Sequence, residues 1–276
     1  MALLRPGELA EAVFARFSAP DYEPPVLPVV AMQLLELSRK SATSFRDVQR
    51  LLEQEPLLTG RVLRLARSAA FATREPVRSV EQAIARLGLG TLTNLFLQVS
   101  IGGKVFRAAG FERPMDALRR HSIVTAHVSK EILSMQQRRD DEAFLAGLLH
   151  DAGVAATLVL VAELCGRGPV PHFGEVRAAV LEAHTRTISV LASAWKLPSD
   201  LAVTLAHHHA PFVDGSPHPR AALLCIADAL AGEAAPGGDE QMAPSAAAEA
   251  RRIVGLSDSD VERLRAFARQ VAAGVE

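Results

Sequence analysis

The chain has 276 residues, of which 49% are hydrophobic and 5% aromatic, and its formal net charge at pH 7 is −1. A chain of this length and apolar content can bury a sizeable core, as one large or two modest domains, without disulfides to hold it together. Because 30 basic residues face 31 acidic ones, no overall field attracts a polyanion, and we do not expect nucleic acid as a partner.

The cysteines and the apolar segments indicate a cytoplasmic protein without a membrane span. Cys165 and Cys225 are too far apart for a CxxC redox motif or a zinc knuckle, so we expect two buried thiols. The first residues lack a basic segment that leads into a continuous apolar stretch, and no later run of about 18 uncharged apolar residues could span a bilayer.

Helical spacing of the apolar residues along the chain predicts an all-α fold, since no segment alternates as a strand does. The first helix lies near residues 6–17 and ends before the proline-rich connector 19–25. Pro28 suits the opening turn of a second helix, Ser44 is a candidate N-cap for a third, and Pro56 opens a fourth.

A capping box and a glycine delimit the next helix. Ser79 with Gln82 predicts its start, and Leu87-Gly88 predicts its end. A long apolar helix follows over residues 91–105. Glycine and proline then concentrate up to Pro114, which marks the best internal boundary.

The second half predicts five more helices and a C-terminal one. The five lie near residues 115–136, 141–163, 173–195, 199–209 and 219–232. Residues 233–245 are rich in Ala, Gly and Pro and are expected to be flexible. A last helix starts near Ser259, with Glu262 completing a capping box.

Histidines mark the segment where chemistry is expected, because all nine lie beyond residue 120. The sharpest feature is His150-Asp151, an adjacent pair that interrupts one of the most hydrophobic segments of the chain. Burial of such a pair without partners is costly, so the two side chains must be hydrogen-bonded or share a cation. A hydrogen-bonded pair without metal is the structural alternative, and both interpretations stay open at this point.

Candidate partners for this pair come from separate predicted helices: His121, His184, the run His207–His209 and Asp228. Consecutive helical positions differ by about 100°, so only one or two members of the run His207–His209 can face a common point. Neutral imidazoles and carboxylates suit a divalent ion such as iron, manganese, zinc or magnesium. Two such ions side by side would activate a water toward a phosphoester, and Asp151 is the candidate catalytic residue.

The order His121, His150-Asp151, Asp228 resembles the pattern that defines the HD superfamily of metal-dependent phosphohydrolases. His184 and the histidine run are similar to the additional ligands of its two-metal members, which include the HD-GYP cyclic di-GMP phosphodiesterases. The resemblance therefore implies metal ligation by His121, His150, Asp151, His184, His208 and Asp228.

A second resemblance covers roughly residues 24–230. Motifs similar to those of the HDOD domain family are Leu27-Pro28, Glu55-Pro56-Leu57-Leu58, residues 63–68 and 79–88, Leu145–Asp151 and Trp195-Lys196-Leu197-Pro198. The family implies a helical signalling module that acts through protein–protein interaction, beside two-component or cyclic di-GMP proteins. A metal-dependent phosphohydrolase that acts on a nucleotide or a cyclic dinucleotide such as cyclic di-GMP is the alternative.

Several departures from the HD pattern favour the module without catalytic turnover. Val154 stands where related sequences often place lysine, Thr185-Arg186-Thr187-Ile188 replaces an acidic stretch that contains glycine, and Ala210-Pro211 stands in place of a glutamate. The Gly-Tyr-Pro signature is absent.

The resemblance divides the chain into four parts. Residues 1–23 form an N-terminal helix and linker, and residues 24–112 form the N-terminal helical part of the HDOD domain. Residues 113–232 form its HD-like helical bundle, on which the N-terminal part packs, and residues 233–276 form a flexible segment and a C-terminal helix.

Overall fold

The computed structural model describes residues 6–24, 56–68, 79–105, 107–138, 142–166, 168–237 and 244–275, with the single residues Gln33, Phe71, Val77 and Asp140. Eleven helices and one short strand pair form within these residues, which confirms the all-α prediction. The helices expected near Pro28 and Ser44 lie outside the described residues.

The helices are described in chain order. They are α1 Pro6–Phe17, α2 Pro56–Ala66, α3 Val80–Lys104, α4 Glu112–Met135, α5 Ala143–Leu149, α6 Ala152–Cys165, α7 Phe173–Ala194, α8 Ser199–Ala206, α9 Pro219–Ala234, α10 Pro244–Val254 and α11 Asp258–Gly274. Between α8 and α9, strand β1 Phe212–Val213 pairs antiparallel with β2 Ser216–Pro217. Asp214 and Gly215 join the strands, both at positive φ, as in the tightest hairpin turns.

Contacts within the chain divide it into two compact units: residues 27–104, and residues 1–26 together with 105–276. In the first unit α2 packs on α3. The expected break at Gly88 is present as a kink with φ 73°, and the chain continues into the helix expected from residue 91. The amide of Gln82 donates to the Ser79 hydroxyl, which is one half of the predicted capping box.

In the second unit, α4 packs on α5 and α9, α6 and α8 pack on α7, and α10 and α11 pack on α9. Helix α1 also packs on α7. Its Phe14 ring lies 3.6 Å from the guanidinium carbon of Arg186, and Glu11 pairs with the same guanidinium at 3.1 Å. The N-terminal helix is thus part of the unit that carries the histidines.

The helix predicted over residues 141–163 is broken at its centre. Helix α5 ends at Leu149 and α6 begins at Ala152, so His150 and Asp151 form the junction. By length and composition the stretch Ala143–Cys165 is apolar enough to cross a membrane, but 94% of its apolar 18-residue window is buried inside the protein. The two helices therefore belong to the core.

The C-terminal region has more regular structure than we predicted. Residues 233–245 were expected to be flexible, but helix α9 continues to Ala234 and α10 begins at Pro244, so both helices extend into this segment. The predicted capping box of Ser259 and Glu262 is wrong. Ser257 caps α11 instead, since its hydroxyl accepts from the Asp260 amide and the Asp260 carboxylate accepts from the Ser257 amide.

Candidate metal centre

Five structural elements bring the polar side chains of the second half to one buried point. Helix α4 supplies His121, α7 supplies His184 and α9 supplies Asp228. The α5–α6 junction supplies His150 and Asp151, and the turn after α8 supplies His208 and His209.

Two glycines let the α5–α6 junction approach its neighbours closely. A Cβ atom on Gly147 would lie 2.5 Å from Cα of Ala126 on α4, and one on Gly153 would lie 2.1 Å from the carbonyl oxygen of His184 on α7. Because real Cβ atoms do not come so close, larger residues would push these helices apart. The glycines on both sides of His150-Asp151 therefore set the distance between the polar groups.

Each carboxylate oxygen of Asp151 faces a different pair of imidazoles. Oδ2 lies 3.3 Å from Nε2 of His150 and 3.9 Å from Nε2 of His121. Oδ1 lies 3.5 Å from Nε2 of His208 and 4.0 Å from Nε2 of His184. Asp151 therefore stands between two groups of nitrogen ligands.

Asp228 closes the centre from the side of α9. Its Oδ1 atom lies 2.8 Å from Nε2 of His121 and 3.4 Å from Nε2 of His150. Its Oδ2 atom lies 3.7 Å from Nδ1 of His209. Asp228 thus contacts His121 and His150, the two histidines that face Oδ2 of Asp151, and it also contacts His209.

Backbone carbonyls fix which nitrogen of the histidines holds the proton. In three of them Nδ1 contacts the carbonyl oxygen three residues earlier: His150 with Gly147 at 2.8 Å, His184 with Leu181 at 2.5 Å, and His208 with Leu205 at 2.7 Å. A carbonyl only accepts, so Nδ1 donates, and the Nε2 lone pair of the neutral ring points into the centre. This orientation by a hydrogen bond at the other nitrogen is the rule for metal-bound histidine.

The contact between His184 and His208 requires a cation. Their Nε2 atoms lie 3.3 Å apart, although both Nδ1 atoms already donate to carbonyls. Two neutral rings would therefore point their lone pairs at each other, which is repulsive. A proton or a metal ion that both rings share removes the conflict.

The surroundings of His121 and His150 support the same conclusion. The ring nitrogens of His121 face two acceptors, the Ala235 carbonyl at 3.3 Å and Oδ1 of Asp228 at 2.8 Å. Two protons, or one proton and one metal ion, satisfy that arrangement. Nε2 of His150 is buried and has no hydrogen-bond partner of suitable geometry. A metal ion would fill that coordination position.

Burial and charge act against each other at the centre. Burial alone would raise the pKa of Asp151 and of Asp228, but the neighbouring histidines hold the pKa of both carboxyls well below its ordinary value. Burial alone would lower the pKa of His150, but the carboxylates of Asp151 and Asp228 raise it well above the ordinary value. Two buried negative charges thus need positive charge beside them.

Two other histidines of the centre, His184 and His209, have lowered pKa values that favour the neutral ring. Burial lowers the pKa of His184, and burial together with the charge of His208 lowers the pKa of His209 to about 3. Neutral imidazole is the form that binds divalent metals. The donor set therefore fits such ions.

Two ligand groups that share Asp151 can hold a metal ion. One consists of Asp151, His184, His208 and His209, and the other of His121, His150 and Asp151; within each group the donor atoms lie within 4.8 Å of one another. Apart from His209, the residues of the centre are buried, with exposed fractions from 0% for His150 and His208 to 7% for the neighbouring Asp228. His209 is the most accessible member, with 19% of its side chain exposed.

The structure brings together all six residues that the sequence predicts as ligands, and their role in metal binding stays a prediction. The prediction missed His209. Its Nε2 atom lies 2.9 Å from Nε2 of His184, within the centre. Helix α8 ends at Ala206, so the helical angle used to place the histidine run does not apply to residues 207–209. His207 contacts the Val203 carbonyl of its own helix through Nδ1.

Comparison with known proteins identifies the family to which most of the chain is similar. The family model of the HDOD domain matches residues 25–211. An uncharacterized protein of Treponema pallidum (strain Nichols) is 26% identical over 199 residues, which is 66% of this chain and 37% of that protein. The chain thus spans little more than a third of the length of that relative.

Solved structures share the fold over nearly the whole chain. An HDOD domain protein of unknown function from Geobacter sulfurreducens is 22% identical, with a TM-score of 0.71 and 96% of each chain covered. A candidate metal-dependent phosphohydrolase from Shewanella amazonensis SB2B is 18% identical, with a TM-score of 0.73 over 98% of this chain and 99% of the other. A candidate signal transduction protein from Marinobacter aquaeolei VT8 is 20% identical, with a TM-score of 0.67 over 98% and 64%.

Proposed function

The chain belongs to the HDOD domain family, and from this membership we propose that it is a regulatory module of signal transduction that acts through protein–protein contacts. Its buried histidine–aspartate centre holds divalent metal and fixes the helices of the second unit. The partners are signalling proteins of two-component or cyclic di-GMP pathways, in the cytoplasm. Neither nucleic acid nor a membrane is needed for this role.

The burial of the centre is the observation that carries this proposal. Asp151 is 4% exposed and Asp228 7%, and His150 and His208 are fully buried. Burial of the donors keeps solvent and substrate away and favours a structural metal, whereas a catalytic site keeps a position open to substrate. The donors come from three helices and two connecting turns, so loss of the metal would loosen the whole unit.

The first group of ligands would be His121, His150 and Asp151, and the second would be Asp151, His184, His208 and His209, with Asp228 beside both. Bound divalent ions would supply Lewis acidity toward a phosphoryl oxygen in addition to structural support. The protein itself holds each Nε2 atom toward the centre through the Nδ1 contacts with backbone carbonyls.

A second candidate function is hydrolysis of a phosphodiester, with a nucleotide or a cyclic dinucleotide such as cyclic di-GMP as substrate. Two observations favour it: the two oxygens of Asp151 face two separate ligand groups, and the side chain of His209 is 19% exposed. The exposed edge of His209 is where a phosphate could reach the centre.

An activity assay separates the two functions. Protein loaded with manganese or iron would be incubated with cyclic di-GMP and with a generic chromogenic phosphodiester. For the regulatory module we expect no turnover above that of the His150→Ala variant, while His172→Ala, a change at an exposed histidine outside the centre, serves as control. Turnover that His150→Ala abolishes and His172→Ala preserves would establish the phosphohydrolase.

The interaction itself is tested with the full chain as bait. In extracts of the source cell, we expect it to retain a histidine kinase, a response regulator or a cyclic di-GMP protein, and purified partner should bind with a measurable affinity. Robust hydrolysis without any such partner would refute the regulatory proposal.

A further inference from the structure

A cavity of about 560 Å³ lies away from the metal centre, within the same compact unit. Helices α1, α6 and α7 and the connection 168–172 line this cavity, which we name the α1–α7 pocket. None of the seven residues of the metal centre lines it. Pockets for small ligands span about 300–1000 Å³ and are mainly apolar with a few polar groups, so its size is suitable.

The side chains that line the pocket are mainly aliphatic. Leu9, Val161, Leu164, Val170 and Val176 contribute from all the elements around it. Leu164 is the one large hydrophobic residue that is exposed among the residues that the structure describes, with 44% of its surface accessible to solvent. Leu164 thus extends the apolar lining of the cavity to the solvent-accessible surface.

The polar groups of the pocket are few and lie together. His172 and Glu175 are exposed and line the cavity at the start of α7. The Glu175 carboxylate accepts from the His172 amide at 2.7 Å through one oxygen. Its remaining acceptor capacity can meet a hydrogen-bond donor of a ligand.

Several contacts hold the connection that forms one wall. A Cβ atom on Gly110 would lie 2.9 Å from Val170, so this valine sits directly on the backbone before α4. At one end of the connection the Gly168 amide donates to the Cys165 carbonyl at 2.8 Å, and at the other the His172 amide is fixed by Glu175. A wall that is already fixed lowers the entropic cost of ligand binding.

We propose that the α1–α7 pocket binds an apolar small molecule, aromatic or aliphatic, that carries one hydrogen-bond donor. The apolar body contacts Leu164 and the valines, and the donor contacts Glu175. Through this site a small molecule would regulate the module. Binding in the pocket does not depend on whether the metal centre is catalytic, because the two sites share no residue.

N-phenyl-1-naphthylamine, an aromatic amine that fluoresces in apolar surroundings, is a suitable probe. We expect saturable binding to the full chain, with a Kd at least about tenfold higher for Leu164→Glu, because the new carboxylate must lose water in an apolar cavity. Val275→Glu, a matched change of a half-buried residue in the C-terminal tail, should leave Kd unchanged. No saturable binding, or equal affinity in both variants, would overturn the proposal.

A second readout uses the unaltered chain and does not depend on the folding of a variant. Cys165 lines the pocket, whereas Cys225 is buried, and burial raises the pKa of its thiol to about 12. N-ethylmaleimide should therefore modify Cys165 first. We expect N-phenyl-1-naphthylamine to slow this reaction severalfold, as peptide mass mapping would report. An unchanged rate at saturating probe would contradict binding in this pocket.

Discussion

The Cα atom of Gly153 faces the carbonyl oxygen of His184 so closely that a Cβ atom there would lie 2.1 Å from that oxygen. The contact joins the first turn of α6 to the middle of α7. One turn further along α6, the hydroxyls of Thr157 and Thr187 approach to 3.5 Å across the same interface. The absence of a side chain at residue 153 thus determines where His184 stands relative to Asp151.

Gly153→Ala should therefore separate α6 from α7 and destabilise the protein by about 1–3 kcal/mol, the range expected for an overpacked core. Urea denaturation followed by circular dichroism measures the effect. Gly232→Ala is the control: position 232 lies in α9 with nothing within 4 Å of an added Cβ, so the helix should gain up to about 1 kcal/mol. Equal stability of Gly153→Ala and the unaltered chain would contradict the packing described.

His209→Ala should weaken metal binding by at least about tenfold, because it removes one donor from the group of Asp151, His184 and His208. Titration of metal-free protein with zinc or manganese, followed by calorimetry, measures the affinity. His207→Ala is the matched control, since His207 contacts the Val203 carbonyl of α8 through Nδ1. If both variants lost affinity equally, or neither did, His209 would not be a ligand.

Metal uptake should release protons near pH 7. The carboxylates of Asp151 and Asp228 outweigh the effect of burial and raise the pKa of His150 well above its ordinary value, so in metal-free protein we expect its Nε2 atom to take up a proton. That proton must leave before Nε2 can bind a metal, and affinity should therefore rise with pH.

Calorimetric titrations in buffers of different ionisation enthalpy count the protons released. We expect a net release at pH 7 that His150→Ala reduces, with the remaining affinity less dependent on pH. A binding enthalpy that is the same in every buffer would show that no proton leaves, and would contradict this description of His150.

His127, which does not belong to the metal centre, should lower the stability of the protein at acidic pH. Its ring packs edge-on against Phe144, and burial, assisted by the charge of Lys130, lowers the pKa of His127 from 6.5 to about 4. Between those pH values the unfolded chain binds a proton that the folded chain excludes, so stability falls as the pH falls from 6.5 to 4. At about 1.4 kcal/mol per pKa unit, the loss is roughly 2–3 kcal/mol.

His127→Leu should remove this part of the acid sensitivity, while His172→Leu, a change at an exposed histidine, should retain it. Free energies of unfolding from urea titrations at pH 7 and pH 4.5 provide the comparison. If His127→Leu lost as much stability on acidification as the unaltered chain, the shifted pKa of His127 would be refuted.

The sequence predicts much of the second unit because helix periodicity is strong there. The helices expected near residues 115–136, 173–195 and 219–232 are observed as Glu112–Met135, Phe173–Ala194 and Pro219–Ala234. The resemblance of the order His121, His150-Asp151, Asp228 to the HD pattern also implies one shared polar centre, and the contacts of Asp228 Oδ1 with His121 and His150 bring these groups together.

Two features of the site depend on tertiary contacts that local sequence does not encode. A continuous apolar segment hid the break between Leu149 and Ala152, because nothing in its periodicity marks the place where α4 and α7 close around the junction. Continuous helical geometry leaves His209 out of the predicted ligands. Helix α8 ends at Ala206, however, and in the following turn both His208 and His209 contact His184.

The content of bound metal tests the central claim most directly. Protein purified in chelator, reloaded with iron, manganese or zinc and desalted should hold close to two ions per chain by mass spectrometry, and it should unfold at a higher temperature than the metal-free form. Asp151→Asn should lose most of this metal, since Asp151 belongs to both ligand groups. A folded chain that binds no divalent metal, and whose thermal stability metal and chelator leave unchanged, would contradict the account.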